Sequence, residues 1–188
     1  MDSDMDLLRR RYVQTLDNLY GGEMEHLNVL PEMAEVAHSS AWKSALQYHF
    51  EKTKAHVERL DQIFAGLGIR PINLKHREVK ALAQDAQRFL TTQDDWVGCE
   101  TVLISATRKM EHHEISGYLL ALRCAQILQD HVAASRLEQT LQEEYEADQI
   151  LAELDTSGSG YTQDRVEYGD VLNLALAGYR ATDDSVEA

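Results

Sequence analysis

The sequence predicts an all-α bundle of four long helices. Three observations carry that prediction. Apolar residues recur every three to four positions through most of the chain, and no segment alternates with period two. Only two prolines and ten glycines interrupt 188 residues. A chain of this length can bury a full core in one domain. The expected division is a bundle over residues 1–155, followed over 156–188 by a linker, a short helix and a flexible acidic tail.

The first helix is expected over residues 5–37, where Leu8, Tyr12, Leu16, Leu19, Leu27, Leu30 and Ala34 form an apolar stripe. Pro31 lies inside it and should kink the helix or remove one hydrogen bond. Ser39 and Ser40 supply a break and an N-cap. The second helix carries Trp42, Leu46, Phe50, Thr53, Val57, Leu60, Phe64 and Leu67 on one face, and stops at "GLGIRP". A shorter amphipathic segment follows over 75–92 (Val79, Leu82, Ala86, Phe89, Leu90). A third long helix is expected over 97–128 and, after the tight connection "QDHVA", a fourth over 131–154. "DTSGSGY" reads as a linker, "VLNLALAGY" as a short helix and "RATDDSVEA" as a disordered tail. The long step between helices 2 and 3 fits a crossover bundle rather than a simple up-down one.

Composition narrows the partners. A net charge of −14 argues against nucleic acid and anionic membrane, which are themselves polyanions. Cys99 and Cys124 form no CxxC pair and no Cys/His cluster, so a thiolate zinc site is not expected. Read as reduced thiols, they suggest the cytoplasm. The opening "MDSDMDLLRRRY" is acidic, lacks the apolar core of a signal peptide, and no apolar run approaches the ~18 residues that span a bilayer.

The informative residues are those that interrupt the apolar stripes. Glu23 interrupts the first; His49, Thr53 and His56 lie one turn apart on the second. Glu111 and Glu114 interrupt the third, and Glu144 with Asp148 the fourth. By the same periodicity Glu25, His112, Glu143 and Glu146 face solvent, and His49 reads as structural. Spacings of three or four put two side chains on one helix face, a turn apart. Several carboxylates buried together cost several kcal/mol each unless they are protonated and hydrogen-bonded or share a cation. Glu, Asp and His together suit iron, manganese or zinc. Glu23 to His56 and Glu111 to Glu144 are both steps of 33 residues, which could set the ligands of two hairpins at one level.

Four stretches, "LDNLYGGEMEHLNVLPEM", "HFEKTKAHVERLDQIFAGLG", "RKMEHHEISGYLLALRCA" and "LEQTLQEEYEADQILAEL", occur in this order between residues 7 and 155. Together they resemble the YciF-like branch of the ferritin-like superfamily. That resemblance implies a ferritin-like four-helix bundle, here with an extra short helix between helices 2 and 3. It also implies a homodimer linked to bacterial stress responses and two metal ions held between the helices. The superfamily pattern is a Glu on helix 1, Glu-x-x-His on helix 2, Glu or Glu-x-x-Glu on helix 3, and a Glu with a nearby ligand on helix 4. Carried over by motif, the metal ligands are Glu23, His56, Glu111, Glu114, Glu144 and Asp148. The bridging Glu of helix 2 is replaced by Thr53, and Glu51 lies about 160° away around the helix. Asp148 stands one position beyond the usual spacing, so the set suits one ion or two.

Two functions follow. One is a metal-carboxylate protein holding iron, or alternatively manganese or zinc, with ferroxidase or peroxide-consuming chemistry. The other is a non-enzymatic, dimeric, stress-associated interaction module with a degenerate metal site, which the Thr53 substitution favours.

Overall fold

The computed structural model describes residues 2–72 and 96–155. They form four helices: α1 (Asp2–Val36), α2 (Ser40–Gly66), α3 (Trp96–Ile127) and α4 (His131–Asp155). No strand occurs among the described residues, and none of their helices is long and apolar enough to cross a membrane. The short helix expected over 75–92 and the linker, short helix and tail expected over 156–188 lie outside the described residues.

The helix ends follow local chemistry. Ser39 is the N-cap of α2, its hydroxyl accepting from the Trp42 amide at 3.3 Å. At the other end Gly68 turns left-handed (φ 70°), and the amides of Gly68 and Ile69 reach back to the Ala65 and Phe64 carbonyls. α3 ends the same way without a glycine. Gln129 adopts φ 59°, and the amides of Gln129 and Asp130 bond the Gln126 and Ala125 carbonyls. Asp130 then accepts from the Ala133 amide at 3.0 Å, opening α4 at once. Pro31 does not end α1, which continues to Val36.

α1 packs beside α2 and α3, and α4 beside the same two helices. Neighbours run antiparallel. Along α2 and α4, His56 meets Glu143 and Gln62 meets Arg136; along α1 and α3, Leu19 faces Gly117 and Gly22 faces Glu114. α2 and α3 therefore point the same way, the arrangement of a crossover bundle rather than an up-down one. The Ile72 amide donating to Asp17 at 2.8 Å ties the chain just beyond α2 to α1. At one end of the bundle the amides of His38 and Ser39 donate to Glu100, at 2.5 and 2.7 Å, fastening the α1–α2 turn to α3.

The core has two apolar clusters. Tyr12, Leu16, Phe64, Tyr118, Leu122 and Leu137 anchor one; Leu30, Trp42, Leu46, Leu103 and Leu151 anchor the other. Between them the inner faces of all four helices turn polar, and that layer is the candidate site.

Candidate metal centre

Three buried groups of donor atoms converge in this layer. Glu23, His56 and Glu144 form the first. His49, Glu111, Glu114 and Glu144 form the second, and His26, His49 and Glu114 the third. Within each group the donor atoms lie within 4.8 Å of one another. No member is more than 4% exposed. His56 Nδ1 sits 2.8 Å from Glu144 and 3.2 Å from Glu23. His26 Nδ1 is 3.1 Å from Glu114, and His49 Nδ1 is 3.6 Å from Glu111.

Five of the six residues expected as ligands, Glu23, His56, Glu111, Glu114 and Glu144, are brought together. Asp148 is not. Its carboxylate lies 2.9 Å from Arg108 and 3.2 Å from His112, at the edge between α3 and α4. The reason is geometric: four residues beyond Glu144 turns a side chain about 40° past it, and the short Asp side chain cannot reach back. Glu143 is a second correction. Instead of facing solvent it is only 12% exposed and takes two hydrogen bonds from Arg59, at 2.9 and 3.1 Å. It also lies 3.0 Å from His56 Nε2 and 3.4 Å from Lys52. His49, read as structural, joins two of the three donor groups.

His26 escaped the sequence reading entirely. Its signal was present: it follows Glu23 with Glu-x-x-His spacing and falls seven residues after Leu19 and four before Leu30, on the buried stripe. Leu27, assigned to that stripe, is only partly buried. Thr53 is fully buried with its hydroxyl unpartnered, so α2 offers this layer imidazoles and no carboxylate.

Charge is distributed unevenly. Burial alone would push His56 down, but the Glu23 and Glu144 charges and the contact with Glu143 hold it well above the usual imidazole range. Burial would push Glu144 up, yet the His56 charge beside it brings it down to about 2. Glu143 is likewise held well below the carboxylate range, because hydrogen bonds from His56 and Arg59 outweigh its desolvation. Glu111 and Glu114 go the other way. Burial, then the charges of Glu144 and Glu114 for the one and of Glu23 and Glu144 for the other, raises both well above 4.5. Desolvation lowers both His26 and His49, the latter to about 4. Tyr118, fully buried, donates to Glu23 at 2.5 Å and holds that carboxylate in place.

The donor set fits a metal. Both carboxylate oxygens of Glu111, Glu114 and Glu144, and both ring nitrogens of His26 and His49, lack a conventional hydrogen-bond partner. Native proteins rarely leave such groups buried and unmatched, and an ion among them is one recognised explanation. Carboxylate and imidazole donors suit iron, manganese and zinc.

Comparison with known proteins agrees with the fold. The model of a family described as "Domain of unknown function (DUF892)" matches residues 7–162. The chain is 26% identical over 156 residues to Protein YciF of Escherichia coli strain K12, covering 80% of this chain and 92% of that one. The crystal structure of YciF, the E. coli stress protein, superposes with a TM-score of 0.74 at 24% identity, over 80% of this chain and 95% of the other. YcfI, a putative structural protein from Rhodopseudomonas palustris, gives 0.71 at 26% identity, over 77% and 92%. A two-domain protein of Anabaena variabilis, with DJ-1/ThiJ/PfpI-like and ferritin-like domains, gives 0.56 at 17% identity, over 83% of this chain and 40% of that one. The bundle is thus a YciF-type, ferritin-like fold.

Proposed function

Since the chain belongs to the DUF892 family, a domain of unknown function, we propose its function from the site itself: it holds one or two divalent ions between its four helices. Iron is the first candidate, manganese the second and zinc a redox-inert third. The observation that carries this reading is the set of buried, unmatched carboxylate oxygens on Glu111, Glu114 and Glu144 beside Glu23 and His56. YciF is described as a stress protein, and a role in stress defence is proposed here by similarity, together with a homodimeric state.

Bound iron or manganese would exchange electrons with dioxygen or peroxide, the chemistry of a ferroxidase or a peroxide-consuming enzyme. The chain's own contribution is positional. Tyr118 fixes Glu23, while Glu143, itself gripped by Arg59, faces the outer nitrogen of His56 and leaves Nδ1 turned toward Glu23 and Glu144. The apolar clusters on either side bury the layer and lower the polarity around it, which strengthens the charge interactions within it.

Elemental analysis of protein purified without chelator tests this reading. About one or two ions per chain are expected, with loss of metal in a Glu111→Ala, Glu144→Ala double variant. Substoichiometric metal that is unchanged in the double variant would reject it. That outcome would favour a non-enzymatic interaction module, in which burial raises Glu111 and Glu114 toward their protonated forms and Thr53 adds no charge.

A further inference from the structure

The three donor groups are not equivalent. Glu23, His56 and Glu144 share no residue with His26, His49 and Glu114, whereas the remaining group borrows from both and adds Glu111. Two separate trios are therefore available, and Glu111 belongs only to the group that draws on both. We propose that His26, His49 and Glu114 form a distinct, imidazole-rich position for a divalent cation, beside the carboxylate-rich position of Glu23, His56 and Glu144. This deepens the metal reading above and rests on it.

Four observations support the assignment. First, His26 and His49 are 1% and 4% exposed, and all four of their ring nitrogens lack a hydrogen-bond partner. A structural buried histidine ordinarily satisfies at least one of them. Second, the two rings meet edge to face with centroids 5.7 Å apart, and His26 Nδ1 lies 3.1 Å from Glu114. The donor atoms fall within 4.8 Å, against the ~3–4 Å between ligands bonded at about 2.1 Å to one ion, so modest side-chain adjustment closes the trio. Third, α1 and α2 are antiparallel, so one turn forward from Glu23 and two turns back from His56 both lead the same way along the bundle. His26 and His49 therefore stand together, displaced from the first position. Fourth, α1 has a glycine where Glu114 approaches: a Cβ on Gly22 would lie 3.1 Å from Glu114 Oε1.

The donors differ in kind. Two imidazoles and one carboxylate favour borderline ions such as zinc, cobalt or ferrous iron; two carboxylates and one imidazole admit harder ions such as manganese. Thr53, uncharged and buried, leaves α2 to give one histidine to each position.

Cobalt(II) titration of the metal-free full chain tests this, followed by calorimetry and by visible absorption, which reports nitrogen ligation. Wild type should take up about two ions, His26→Leu about one, and a Glu23→Gln, His56→Gln variant should retain the imidazole-rich one. A wild-type stoichiometry of one, or a His26→Leu chain that still takes up two ions with an unchanged spectrum, overturns the proposal. No uptake by any of these chains would instead overturn the metal reading itself. Should His26→Leu fail to fold by circular dichroism, nitrogen NMR of the wild type decides: zinc must shift the ring nitrogens of both His26 and His49, and unshifted resonances at two bound equivalents overturn the proposal.

Discussion

Burial and neighbouring acids raise Glu111 and Glu114 well above the ordinary carboxyl range and make their ionisation expensive, and a neutral glutamine of the same shape would meet the same surroundings at little penalty. Glu111→Gln and Glu114→Gln should therefore leave metal-free stability within about 1 kcal/mol of wild type, or raise it. The rise in melting temperature on adding manganese or ferrous iron should shrink or vanish. A large loss of metal-free stability in either variant would show that these acids are structural. Gly22 separates the two roles from the other side of the site. Gly22→Ala should gain up to about 1 kcal/mol of helix propensity, while its methyl, 3.1 Å from Glu114 Oε1, displaces that carboxylate. Metal affinity should fall by about tenfold, within the range seen when ligand positioning is disturbed, and undiminished affinity would contradict the placement of Glu114.

At the scale of the elements, local rules explain most helix ends. The exception is the α3–α4 joint, where Gln129 occupies the left-handed region that glycine fills at Gly68. A non-glycine residue there carries about 1–2 kcal/mol of strain, part of which a glycine gives back through its freer unfolded chain. Gln129→Gly should stabilise the fold by about 0.5–1 kcal/mol, measured by urea unfolding, and a destabilised variant would show that the Gln129 side chain supports the joint. The equal steps of 33 residues turned out to be informative. They join two antiparallel pairs of helices, α1 with α2 and α3 with α4, and the side chains they separate meet in one layer.

For the whole molecule, the metal-free site stores protons. Glu111 and Glu114 have pKa values raised in the folded chain, so the native state binds more protons than the unfolded one above pH 4.5, and stability falls as pH rises through their folded values. Glu143 and Glu144 are depressed, so their contribution is present above 4.5 and is lost as pH falls toward about 2. His56, raised, contributes fully below 6.5, and its contribution is lost as pH climbs through its folded value. Metal-free protein should therefore be most stable near about pH 5 and lose stability toward pH 8, a trend that bound metal removes by replacing the protons. Metal affinity should rise with pH, and calorimetry in buffers of different ionisation enthalpy should detect proton release on binding. A melting temperature independent of pH between 5 and 8 without metal, or binding without proton release, would show that these acids are already ionised.

The four helices, their order, the crossover and most of their ends were legible in the sequence, because helical periodicity and capping are local and repeat many times along each element. Glu23, His56, Glu111, Glu114 and Glu144 were legible too, as polar residues on apolar stripes. The rest was not, and for one reason: periodicity names a face of a helix but not what stands opposite it. The spacing of His26 puts it on the buried stripe, but its place beside Glu114 and His49 depends on α1 facing both α2 and α3. Asp148 went to Arg108, and Glu143 to Arg59 and His56, because at the edge of a helix stripe the neighbouring helix decides whether a carboxylate meets a cation or water. The sequence alone determined that acids and histidines would share the core; only the tertiary packing decided which donors stand together, with His26 of α1 and His49 of α2 beside Glu114.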